Sequence, residues 1–220
     1  MKRHYLIHYG MLVLLLLTGI SSQADSRSDF LDAVKADDVS QVKTMLSRGV
    51  DPNTKDASGQ CALVLALQSD ALKVADVLIA DQRTDVNYLN SHDESPLMMA
   101  AIKGLLPQAQ ALIAREALVN KTGWTPLHYA ASQNDPALIA LMLENYAYID
   151  AESPNSTTPL MMAAHYGSDA GVELLLQEGA DPELKNQQGL TAYDFAKGAE
   201  RAETAEIILK AMRARQPAGW

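Results

Sequence analysis

The run Thr125-Pro126-Leu127-His128-Tyr129-Ala130-Ala131 decides the fold, because it returns in altered form, and in phase, along the chain. Ser95-Pro96-Leu97-Met98-Met99-Ala100-Ala101 and Thr158-Pro159-Leu160-Met161-Met162-Ala163-Ala164 repeat it almost residue for residue. Thr191-Ala192-Tyr193-Asp194-Phe195-Ala196, Cys61-Ala62-Leu63-Val64-Leu65-Ala66 and Ser28-Asp29-Phe30-Leu31-Asp32-Ala33 fit the same frame more loosely. Starts at 28, 61, 95, 125, 158 and 191 are 33, 34, 30, 33 and 33 residues apart, and a fixed period of this size marks a stacked-repeat architecture. Ser or Thr caps a helix N-terminus, and Pro directly after it occupies the first helical position, where no N–H bond is lost. The Ala pairs let a neighbouring helix approach closely.

A second helix is expected in each unit, over 39–47, 71–80, 107–114, 136–145, 170–177 and 202–212, where apolar residues recur at helical spacing. Gly49 and Gly179 stand where a glycine would end such a helix. Turn formers follow, as in Asp51-Pro52-Asn53, Asp85-Val86-Asn87 and Asp181-Pro182-Glu183. One such unit cannot bury its apolar face alone, so the units must stack.

With these residues in view, the chain resembles the ankyrin-repeat family. The 125–131 run matches its Thr-Pro-Leu-His-x-Ala-Ala signature in full, and Gly179-Ala180-Asp181 resembles its Gly-Ala-Asp ending. The resemblance covers residues 28 to about 212. It implies an all-α solenoid of about six helix-turn-helix units joined by short β-hairpin loops. The third spacing is three residues short, which predicts a clipped β-hairpin between Asn120 and Trp124. The second unit carries an extra residue, expected near 81–84. Met98, Met161, Val64 and Asp194 stand where the family has His, so some bonds between repeats are expected to be missing.

Ahead of the repeats, Lys2 and Arg3 precede an apolar stretch from Met11 to Ile20, and Ser22-Gln23-Ala24 offers a small-x-small cleavage site. This order describes a signal peptide over 1–24. The apolar stretch is about half the ~20 residues that a membrane span needs, so stable membrane insertion is expected only if the segment stays uncleaved. The chain divides into 1–24, a repeat domain over 25–212, and a tail over 213–220. Export to a bacterial periplasm is the expectation, with secretion as the alternative.

The chain has 220 residues, 48% of them hydrophobic, 20% charged and 5% aromatic. Such a composition excludes a disordered chain. The formal charge of −9 becomes −11 once Lys2 and Arg3 leave with the signal segment, and an acidic chain repels nucleic-acid phosphates. The single cysteine, Cys61, excludes an internal disulfide and a Cys-based zinc site; in an oxidising compartment it is expected to be buried.

His92, His128 and His165 remain after residue 24, scattered and without metal-ligand spacing. No nucleophile elbow, His-Glu-x-x-His pair or phosphate-cradling glycine loop is present. Hence no cofactor, no metal and no intrinsic enzymatic activity are expected; the sequence does not specify an oligomeric state. A hydrolase on a repeat scaffold is the rival of another class, and the missing catalytic motif counts against it.

Binding is the better reading. The family resemblance places partner contacts at loop tips and at exposed first-helix positions. The residue before each Ser/Thr start is Gln60, Glu94, Trp124, Thr157 or Leu190. The candidates are Trp124, Tyr166, His165, Ile102, Lys103, Tyr88, Leu89, Lys121, Gln133 and Leu190. Trp124 is the sharpest, because Trp is enriched where binding energy concentrates; the opposing reading folds it back as local packing. Met99 and Met162 read as packing between first helices. The expected function is to hold a protein partner, either as scaffold or stabiliser of a periplasmic enzyme or as an immunity-type inhibitor of a toxin or effector.

Overall fold

Short helices of six to nine residues cannot persist alone in water; here they persist because the first helices of the inner pairs are buried on nearly every side. The computed structural model describes residues 26–215; residues 1–25, with the expected signal segment 1–24, and residues 216–220 lie outside the described residues. The chain divides between Thr84 and Asp85 into two compact units.

The first unit holds α1 (26–35), α2 (Val39–Ser47), α3 (Ala62–Gln68) and α4 (Leu72–Ala80). Residues 62–67 of α3 are all buried, as expected of a helix that is apolar all round. Asp37, in the turn after α1, accepts the Val74 N–H at 2.8 Å and so ties the two helix pairs together. The extra residue lies where expected: the chain leaves α4 in extended conformation at Asp81 and turns through 82–83. Thr84 is buried there, and its hydroxyl has no hydrogen-bond partner.

The second unit holds α5 (Pro96–Ile102), α6 (Leu106–Ala114), α7 (Pro126–Ala131), α8 (Pro136–Glu144), α9 (Pro159–Tyr166), α10 (Asp169–Gln177), α11 (Ala192–Gly198) and α12 (Ala202–Arg215). First helices α5, α7, α9 and α11 pack side by side, and second helices α6, α8, α10 and α12 form a parallel layer against them. Gly167, at the end of α9, shows how close neighbouring first helices come: a Cβ there would meet the carbonyl oxygen of Ala131 in α7 at 2.2 Å. The last pair is fastened by Arg201, which donates to the Ala163 and Ala164 carbonyls at 2.9 and 3.1 Å and to Asp169 at 2.9 Å.

The expected β-hairpins are a correction. Among the described residues there is no strand, only an isolated bridge between Lys55 and Cys61. Four loops close instead through one backbone bond, from the N–H of the first residue to the carbonyl four residues on, and through that first residue's side chain. Asp56, Asn90 and Asn186 each accept backbone N–H groups two and four residues on, at 2.9–3.0 Å. Ser153 accepts the Thr157 N–H at 3.0 Å. Short Asx-type turns satisfy the backbone locally and leave no need for a paired strand.

The clipped loop departs further. Its residues 122–124 form bends, so the clipped hairpin between Asn120 and Trp124 is also corrected. The three missing residues are those that would carry the turn-closing side chain. Asn120 has the other role, shared with Asn87, of tying one loop to the next. Asn87 donates to Glu116 O (3.2 Å) and accepts from Leu118 N (2.7 Å). Asn120 donates to Tyr146 O and accepts from Tyr148 N, both at 2.8 Å. Asp150 continues this ladder by accepting from Asp181 N at 3.0 Å, but a carboxylate has no N–H for the Gly179 carbonyl. Arg215 supplies that donor at 3.2 Å and reaches Asp181 at 2.8 Å. It can do so because α12 has 14 residues against nine in α10, so residues 213–215 belong to the last helix.

Candidate functional site

The candidate surface is built on α5, α7, α9 and their preceding loops, with each helix start fixed by the same three-residue device. Ser95, Thr158 and Thr191 accept the N–H three residues on, at 3.2, 3.4 and 3.4 Å. In return the side chain at that third position accepts the N–H of the capping residue. Met98 and Met161 do this through sulfur at 3.4 Å, and Asp194 through a carboxylate at 2.8 Å.

His128 does more than its counterparts. Its Nδ1 accepts from the Thr125 N–H at 3.1 Å and faces the Thr125 hydroxyl at 2.9 Å. Nδ1 is thus an acceptor, the proton sits on Nε2, and Nε2 donates to Thr157 O of the next repeat at 2.9 Å. Burial drives its pKa down to about 4, against partial support from the backbone bonds. His128 is therefore a neutral structural strut. Methionine offers no second nitrogen, so the bond between repeats is absent at Met98 and Met161, as the substitutions predict.

Trp124 is half-buried, with its ring 5.2 Å from the edge-on His128 ring and 6.3 Å from Tyr129, at an interplanar angle of 46°. Both ring contacts are to its own repeat. Lys121 shapes the same spot: its ammonium pairs with Asp93 and donates to Trp124 O at 3.3 Å. It thereby reaches the carbonyl left without a loop-closing N–H by the three-residue deletion.

One repeat on, His165 meets Tyr166 at 4.1 Å and Phe195 at 6.2 Å, both edge-on. Tyr166 is 60% exposed. Ile102, Lys103, Leu89 and Leu190 are exposed, while Tyr88, Gln133 and Lys121 are half-buried. The ring contacts group the aromatics as Trp124 with Tyr129 at α7, and His165 with Tyr166 and Phe195 on α9 and α11. Met99 is buried and Met162 half-buried. His92 is exposed in its loop, and Cys61 is a buried free thiol.

Sequence reasoning missed Tyr129 and Phe195, which look like core positions in the repeat pattern but stay half-open. It also missed an outer patch. Leu118, Tyr146 and Tyr148 are 63%, 86% and 70% exposed. They occupy positions that hold Gly or Asp in Gly49-Val50-Asp51 and Gly179-Ala180-Asp181, and that mismatch was the available signal. Tyr146 adopts a left-handed φ of 65° there, which costs a side-chain-bearing residue about 1 kcal/mol.

Among the described residues, no group of three or more His, Cys, Asp or Glu is arranged to hold a metal ion, and no helix is long and apolar enough to cross a membrane.

A family model for ankyrin repeats matches residues 30–122, 74–153 and 97–186. The chain belongs to the ankyrin-repeat family. These repeats serve as modules that bind protein partners. The human transient receptor potential cation channel subfamily A member 1 is 27% identical over 76% of this chain, which spans only 16% of that protein. Ankyrin repeat protein YahD of Escherichia coli (strain K12) is 27% identical over 84% of this chain and 96% of its own length. Among solved structures, one of the predatory endopeptidase Bd0816 from Bdellovibrio bacteriovorus in complex with immunity protein Bd3460 contains a chain that superimposes with TM-score 0.72 at 27% identity. That match covers 82% of this chain and 96% of the other.

Proposed function

We propose that this ankyrin-repeat chain is exported to the periplasm and acts by occupying a protein partner, as an immunity-type inhibitor of an enzyme there. The observation that carries the reading is the extent of the structural match to the chain from the endopeptidase complex. It runs over 96% of that chain and 82% of this one, so the likeness extends over nearly the whole of a chain seen in the complex of an endopeptidase with an immunity protein. Export rests on the pattern of residues 1–24. The first-helix face supports binding, because half-open aromatics on rigid helices supply contact area at low entropic cost. The surface would comprise Trp124, Tyr166, His165, Ile102, Lys103 and Gln133, with Tyr88, Leu89, Lys121 and Leu190 on the loops.

The test is capture of the partner from envelope extract with tagged chain, followed by assay of that partner's activity with and without the chain. Inhibition that disappears with Trp124→Ala/Tyr166→Ala supports the reading. An enzyme that keeps its activity and gains thermal stability in the complex establishes the scaffold role instead. Chain found in the cytoplasm at full length overturns the export half.

A further inference from the structure

The loop that ends at Glu94 and the clipped loop that ends at Trp124 place unlike chemistries at the same position of consecutive repeats. Trp124 and Tyr129 present two half-open rings, 6.3 Å apart and inclined at 46°, the walls of a wedge rather than a closed stack. Glu94 is half-buried, and one of its carboxylate oxygens accepts from Asn90 Nδ2 at 2.9 Å, which orients the group. Lys121 is the nearby cation. Its side chain is 15% exposed and its ammonium is paired with Asp93, so that pair is neutral and Glu94 supplies the net charge of the spot. Aromatic faces beside a carboxylate attract a flat, weakly hydrated cation.

We propose that Trp124, Tyr129 and Glu94 form an anchor site for an arginine side chain of the protein partner. The guanidinium lies between the two rings and bonds the Glu94 carboxylate, while its alkyl stem covers the indole. Tyr129 agrees with this environment: burial, and then the charges of Glu94 and Asp93, push its ionisation above the ordinary range, so its hydroxyl stays neutral and lies within the field of both carboxylates. His128, whose ring lies 5.2 Å from the indole, is held neutral by burial and does not repel an incoming cation. The acidic balance of the whole chain, −9, favours the approach of a basic surface. This inference rests on the partner-binding reading above and adds what the partner presents at this point.

The experiment is a titration of the full chain, as Trp220→Phe so that Trp124 is the single indole, with the tripeptide acetyl-Gly-Arg-Gly-amide. The indole N–H resonance is followed by NMR. The neutral isostere with citrulline in place of arginine is the control. The expected result is a saturable indole shift with an affinity near millimolar, no saturable shift with citrulline, and about fivefold weaker binding in Glu94→Gln. That amide still accepts from Asn90, so an unchanged spectrum elsewhere certifies the fold. An unmoved indole, an equal response to citrulline, or full affinity in Glu94→Gln overturns the anchor. If a partner is captured through Trp124 and Tyr166 while the titration fails, the anchor is wrong and the binding reading stands. A positive titration with no partner found leaves the anchor and sinks the inhibitor reading.

Discussion

Replacing His128 separates the cost of losing a strut from the cost of leaving its partners stranded. The side chain is wholly buried, as are Thr125 and Thr157 beside it. In His128→Met, the sulfur can take the Thr125 N–H as it does at Met98 and Met161, and the volume is nearly kept. The bond from Nε2 to Thr157 O is lost, but that carbonyl also accepts from Ser153 N at 3.0 Å and is not stranded. The net loss is one neutral hydrogen bond, about 1 kcal/mol. His128→Ala instead strands the buried Thr125 N–H and opens a void under Trp124, for about 3–5 kcal/mol together. For a chain of this size, that means a melting point lower by roughly 2–4 °C for Met and roughly 8 °C or more for Ala. Urea unfolding followed by far-UV circular dichroism, with Trp124 fluorescence recorded alongside, measures both. Equal losses in the two variants would refute the reasoning, because methionine would then not be replacing the imidazole at all.

The same residue makes stability depend on pH. Its proton is bound near pH 6.5 in the unfolded chain and only near pH 4 in the folded one, so its contribution is full above 6.5. It falls by about 3 kcal/mol as the pH drops through that window, and His128→Met should flatten that part of the profile. Tyr146→Gly removes the left-handed penalty at an 86% exposed position and should stabilise by about 1 kcal/mol; a loss would mean that the tyrosine packs. Gly167→Ala drives a methyl into the Ala131 carbonyl and should cost at least about 3 kcal/mol, read as a large drop in urea midpoint; a neutral result would contradict the close approach. Arg215→Ala should cost about 1 kcal/mol in the native sequence and less in Asp150→Asn, where an amide can serve Gly179 O. Additive losses in a double-mutant cycle would deny that link.

The helices were readable from the sequence because propensity, capping and apolar spacing agree at each one. The expected second helices match the observed ones within a residue at both ends, except α12. That exception has a cause outside the repeat pattern: residues 213–215 continue as helix so that Arg215 can reach a carbonyl abandoned by Asp150. The loops were misread because a side chain shares in closing them. Asp56, Asn90 and Asn186 are visible as turn formers, yet nothing in one sequence says that their oxygens replace strand pairing. The repeat frame singled out Trp124 and Glu94 as equivalent positions, but not Tyr129, nor that packing of α5 against α7 and a loop three residues short set the three close together.

Stacks of repeats have no intrinsic length. Each loop carries groups that its successor satisfies, so the final step of the ladder would offer a landing place for the leading repeat of another molecule. A contact of that kind is heterologous and does not close, which makes fibres rather than dimers. Arg215 occupies the carbonyl at Gly179 and the carboxylate at Asp181, and it is carried there by the same chain. The site it fills is an internal one, left half-made by Asp150, so the extended last helix supplies a missing rung of the ladder from within the same molecule.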